Sequence, residues 1–130
     1  STIKQKKEMI RCVKTRIRQR NLITIYPEAH MWPYYTGIRP FTDASFSYPA
    51  HTGTPVFAMT TCYQKRKIGS FPKTVTFIDG PFYPDESLPM AERKKVLRDQ
   101  CYNAMKDRAE KNSTYEYIAY RKKEDGESKD

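Results

Sequence analysis

Cysteine, histidine and long apolar runs are all scarce in this 130-residue chain, and each scarcity narrows what it can be. Cys12, Cys62 and Cys101 form no Cys-x-x-Cys pair, and His30 and His51 stand near neither them nor each other. Zinc modules need clustered ligands, so no metal site is expected. An odd cysteine count with no recognisable signal peptide fits the reducing cytosol, where free cysteines are small buried hydrophobes. No apolar stretch approaches 18 residues and the mean hydropathy is −0.85, which leaves nothing suited to span a bilayer as a helix. The chain opens at Ser1 with no initiator Met, and a fragment, a processed product or an excised segment is expected.

Acidic residues are also in short supply, 15 against 24 Lys and Arg for a formal charge of +9. The shortage is local: the first twenty residues hold eight Lys or Arg against Glu8 alone. A second basic knot, Lys65, Arg66 and Lys67, interrupts an apolar segment. Aromatics are not scarce; ten Tyr and 38% hydrophobic residues supply enough apolar surface for a core, and 130 residues is the size of one domain. Residues 121–130, RKKEDGESKD, are apolar-poor and read as a charged flexible tail.

Ile3, Ile10, Val13 and Ile17 recur at helical steps, which predicts an amphipathic helix from about Thr2 to Arg20 capped by Asn21. Lys4, Lys7, Arg11, Lys14 and Arg18 follow the same period on another face as a basic stripe. Leu22 to Tyr26 is a β-branched apolar run of the kind that makes a buried strand. Pro27, Pro33, Gly37 and Pro40 then impose an aromatic-rich loop containing Trp32, Tyr34 and Tyr35. Asp43 begins a short helix that Pro49 bends or ends, and Thr52-Gly53-Thr54 is a turn. Strands follow at Val56 to about Tyr63 and at Thr74 to Ile78, paired as a hairpin, the second ended by Asp79-Gly80-Pro81. Ser87 caps a helix with Met90, Leu97, Cys101, Ala104 and Met105 on its buried face, and Tyr115 to Tyr120 forms an edge strand. The expected class is α/β, a mixed sheet flanked by helices.

The blocks ITIYPEAH (23–30), IRPF (38–41), TGTPVFAMT (52–60) and VTFIDGPF (75–82) resemble, in order and spacing, the carboxyl-terminal half of the glycerol-phosphate and lysophosphatidic-acid acyltransferase family. The resemblance covers roughly residues 1–110, with residues 1–120 as the carboxyl-terminal part of such a domain and a partial fold of that type. It implies transfer of an acyl group from acyl-CoA or acyl-carrier protein to a (lyso)glycerophosphate, with no other cofactor. Tyr26, Pro27 and Glu28 match the family's FPEGTR block; Ala29, His30 and Met31 depart from it. Met31 carries no charge where the family places a phosphate-binding arginine. Arg39, the nearest cation in sequence, takes that role in this reading, its planar fork suiting bidentate phosphate contact.

The family's His-x-x-x-x-Asp motif is missing. Its chemistry needs a base to take the acceptor hydroxyl's proton and a carboxylate to orient that base. Tyr35 stands five residues after His30 and Val56 five after His51, so neither histidine completes the motif. The chain alone is expected not to turn over, its amino-terminal half being supplied elsewhere. Glu28 and Arg39 are the acceptor-site candidates, and His30 is a catalytic candidate on position alone. The basic stripe and the substrate class together imply an anionic membrane surface as partner, at the inner face of the membrane. A catalytically silent module that binds nucleic acid or anionic surfaces through the same charge is the alternative; no helix-turn-helix, RRM, KH or zinc-finger pattern accompanies the charge. A half-domain also exposes sheet edge, from which self-association is expected.

Overall fold

The computed structural model describes residues 2–28 and 33–120. Its elements are α1 (Ile3–Arg18), a 3-10 turn (Ala44–Phe46), α2 (Ser47–Thr52), β1 (Val56–Gln64), β2 (Lys73–Phe82) and α3 (Met90–Asn112). Helix and strand are thus combined, and the two strands form one antiparallel sheet. The expected mixed sheet is not formed among the described residues, because only the hairpin strands find a partner. The tail 121–130 lies outside the described residues.

Helix α1 starts at a reciprocal cap. The Thr2 hydroxyl accepts the Gln5 amide at 3.2 Å, and the Gln5 side chain accepts the Thr2 amide at 2.9 Å. Its other end is set by Arg20, not by Asn21 as expected. Arg20 turns left-handed at φ 59°, its amide donates to Ile17 O, and the Asn21 amide reaches back to Arg16 O, the two bonds of a Schellman closure. Val13 is buried and Ile10 and Ile17 half-buried, where α1 meets α2.

The run Leu22–Tyr26 forms no strand, correcting the buried strand expected there. Leu22 is 97% and Tyr26 83% exposed. Strand propensity is chiefly a fit to a pleated, half-buried surface, and no described strand lies beside these residues.

In the hairpin, Met59 faces Ile78, Thr60 faces Phe77 and Cys62 faces Val75. Alternation sends Ala58, Thr60 and Cys62 inward to burial, and Phe57, Met59 and Ile78 outward to solvent. Strand β2 does not stop at Asp79-Gly80-Pro81. It bulges there, with Ala58 opposite Asp79 and Val56 opposite Phe82, and continues to Phe82. Gly80 sits at φ 128°, and a Cβ there would meet Val56 O at 2.9 Å, so the bulge needs glycine.

Helix α3 lies across the inner face. Pro89, not Ser87, occupies its cap position; Ser87 instead donates its hydroxyl and amide to Asp85 Oδ1 at 2.6 and 3.0 Å. Pro49 stands in the first turn of α2, where its missing N–H leaves no bond unmade. The core joins Phe41, Phe46, Ala58, Leu97 and Cys101, with Phe41 stacked on Phe46 at 5.9 Å and edge-on to Tyr102 at 5.4 Å.

Thr60 is the core's one polar side chain among the described residues, 0% exposed, and its hydroxyl finds no hydrogen-bond partner there. A buried hydroxyl without a partner costs about 1–3 kcal/mol. Thr60→Val keeps the β-branched shape and removes that cost, so it is expected to stabilise the fold by about 1 kcal/mol, a rise of roughly 3–6 °C in Tm. A calorimetric scan that shows the variant melting lower would mean the hydroxyl has a partner.

Candidate functional site

The loop after α1 brings the two acceptor-site candidates together. Pro27 and Glu28 are half-buried, and Glu28 Oε2 accepts the backbone N–H of Arg39 at 3.0 Å. The ends of the loop are therefore closed across eleven residues by a charge-assisted bond. The sequence reading named Glu28 and Arg39 separately and did not foresee this contact, which the Arg39 backbone amide makes. Two residues on, Phe41 locks into the core, and Ile38 packs against it, so Arg39 is held between an anchored neighbour and the Glu28 closure. His30 and Trp32 lie outside the described residues.

Tyrosines fasten the rest of the loop. Tyr34, left-handed at φ 57°, stands edge-on to Tyr63 at 5.5 Å and to Tyr117 at 5.1 Å. Tyr35 meets Tyr120 edge-on at 5.6 Å, and the Tyr120 hydroxyl donates to Pro33 O at 2.9 Å. Residues 115–120 are thus a clasp over the loop and the hairpin, not the expected edge strand. Their only backbone tie to the sheet among the described residues is the Tyr115 amide, which with that of Thr114 donates to Tyr63 O beyond the β1–β2 ladder. Burial raises the Tyr63 hydroxyl's pKa above its ordinary value, with Tyr34 adding to the effect. Beside the clasp, an open cleft of about 400 Å³ lies between loop residues Tyr35–Ile38 and Lys106, Ala109 and Ser113 of the α3 end.

A second open cleft, about 560 Å³, is lined by Asp79, Phe82, Arg108 and Lys111 among others. Arg108 grips Asp79 with two nitrogens, Nη2 to Oδ1 at 2.9 Å and Nε to Oδ2 at 3.0 Å, and lies 4.6 Å from the Phe77 ring centre. These bonds hold the Asp79 carboxyl below its ordinary range. Sequence reading missed this pair. The available signal was spacing: Leu97, Cys101, Met105 and Arg108 follow one helical stripe, and an arginine on an apolar stripe calls for an acidic partner.

The five stripe cations, Lys4, Lys7, Arg11, Lys14 and Arg18, are all exposed along α1, and Lys65, Arg66 and Lys67 are exposed at the hairpin tip. Among the described residues no three His, Cys, Asp or Glu side chains converge as metal ligands would, and no helix is long and apolar enough to cross a membrane. No protein-family model, curated protein or solved structure matches this chain.

Proposed function

We propose that this chain is the carboxyl-terminal part of a glycerolipid acyltransferase domain, and that its loop 27–41 contributes to the pocket for the glycerophosphate acceptor. The supporting observation is the Glu28–Arg39 closure. Two blocks that the resemblance assigns to one substrate site, eleven residues apart, are bonded to each other at 3.0 Å. In this reading the closure fixes Arg39 in the loop, and its guanidinium supplies the positive charge that Met31 cannot. Glu28 acts as a positioning residue, one of its oxygens being committed to the Arg39 amide. The acyl donor is a thioester, acyl-CoA or acyl-carrier protein. The base that deprotonates the acceptor belongs to an amino-terminal half not contained in this chain.

Isothermal titration of the full chain with glycerol 3-phosphate and with a short-chain lysophosphatidate tests the pocket. Binding is expected, with Arg39→Ala weakening it about tenfold, the loss of one charge-assisted hydrogen bond. Glu28→Gln is expected to weaken it less while leaving the melting curve nearly unchanged. No free CoA should appear when acyl-CoA and lysophosphatidate are both supplied. Robust release would overturn the missing-base argument, and absence of glycerophosphate binding would overturn the pocket. Salt-steep binding of RNA with no response to either phosphate ligand would favour the nucleic-acid alternative.

A further inference from the structure

The five stripe cations occupy a continuous sector of α1 about 80° wide, and the apolar Ile3, Ile10, Val13 and Ile17 lie in the adjoining sector with Lys6 among them. Val13 is buried against the body of the fold, but the amino-terminal end of the apolar stripe is not covered: Ile3 is 75% exposed and sits beside Lys7 and Lys14 on the helical projection. Leu22 is open to solvent just past the other end. Along the helix, an axis of about 24 Å, Glu8 is the one acidic side chain, paired with Arg11 at 3.6 Å. The cations and Ile3 are therefore uncovered on the same flank, and Leu22 is exposed just past its end.

Charge and apolarity together choose among occupants. A second copy of a +9 chain is repelled by this stripe. A nucleic-acid backbone takes the cations but has no use for an exposed isoleucine and leucine bordering them. The surface of an anionic bilayer takes both: phosphates receive the ammonium and guanidinium groups, and the boundary below receives short apolar side chains. We infer that this flank of α1 is an adhesion surface for anionic lipid bilayers, the stripe Lys4, Lys7, Arg11, Lys14 and Arg18 lying on the headgroups with Ile3 and Leu22 at its ends entering the interface. The inference is independent of the acceptor pocket, which involves neither the stripe nor its apolar flank.

Each basic residue that reaches such a surface strengthens partitioning about fivefold. Co-sedimentation of the full chain with vesicles of phosphatidylcholine containing about one third phosphatidylglycerol is expected to show binding that fades between about 0.1 and 0.5 M salt, with little binding to pure phosphatidylcholine. The variant Lys7→Gln/Arg11→Gln/Lys14→Gln is expected to bind about a hundredfold more weakly. Replacing Lys65, Arg66 and Lys67 by Gln is expected to change binding less than about threefold, since these lie on the hairpin tip. Ile3→Asp with Leu22→Asp is expected to weaken vesicle binding severalfold without a matching effect on binding to single-stranded RNA.

Equal binding to neutral vesicles, no binding to anionic ones, or equal losses from the hairpin-tip variant would each overturn the inference. So would tighter binding to RNA or duplex DNA than to vesicles at the same ionic strength. Far-UV circular dichroism reports whether each variant keeps its helix. If the triple variant does not, Lys7→Gln and Lys14→Gln alone, each expected to lose about fivefold, decide the question, because each touches one exposed side chain.

Discussion

Leu97→Ala is expected to destabilise the fold by about 3 kcal/mol, within a range of roughly 2–5, the largest effect of any single substitution proposed for this chain. Leu97 is 1% exposed and is the largest of the fully buried side chains, set on α3 where it faces Ala58 of β1 and the Phe41–Phe46 stack in one cluster. Its neighbours limit how well the hole can close. Ala58 and Cys101 are too small to fill it, and the two phenylalanines are held by each other and by Tyr102. A cavity that cannot collapse carries both the lost transfer energy and the lost contacts of its lining. Because the total stability of a domain is only about 5–15 kcal/mol, the urea midpoint at 25 °C should fall by about 1–2 M with the slope unchanged. Leu97→Met, which nearly conserves volume, should cost less than about 1.5 kcal/mol. A loss under about 1 kcal/mol for the alanine variant would mean that α3 does not seal against the sheet as described.

How much of this could be read from residues alone depends on where the stabilising partner lies. The helix over Ile3–Arg18, the hairpin and the buried face of α3 were legible because each is set by local period, by caps or by a short connection. Leu22–Tyr26 was misread because a strand is completed by a neighbour, and the sequence of a strand does not say whether its neighbour is present. Tyr115–Tyr120 failed for a related reason: alternating tyrosines fit a pleated edge, yet here their rings fasten to Tyr34, Tyr35 and Phe71 instead. Asp79-Gly80-Pro81 looked like a strand end, whereas a bulge absorbs the glycine and the proline and lets pairing resume at Phe82. At the candidate site, Glu28 and Arg39 were legible as separate candidates through the two blocks, but their contact was not, because loop closure is a backbone matter. The Asp79–Arg108 grip required knowing that β2 and the end of α3 lie side by side.

Alkaline pH should destabilise this protein strongly, and Cys101 is the main reason. Burial pushes its thiol from an ordinary 9.0 up to about 12, since a thiolate on the core face of α3 would lose its hydration. The folded pKa therefore lies above the unfolded one. Stability from keeping the thiol neutral is fully present below about pH 9 and is lost as pH rises from 9 toward 12, because over that span only the unfolded chain releases the proton. The slope is about 1.4 kcal/mol per pH unit, roughly 4 kcal/mol over the whole window, a large part of what a domain of this size holds. Tyr63, raised by burial, adds a further loss in the same direction above its ordinary pKa of 10.0. Urea midpoints taken from pH 8 to 11 should fall steadily in the wild-type chain and less steeply in Cys101→Ala, whatever that variant's level at neutral pH. Equal alkaline slopes for the wild type and Cys101→Ala would show that Cys101 titrates normally, and hence that water reaches the junction of α3 with the sheet.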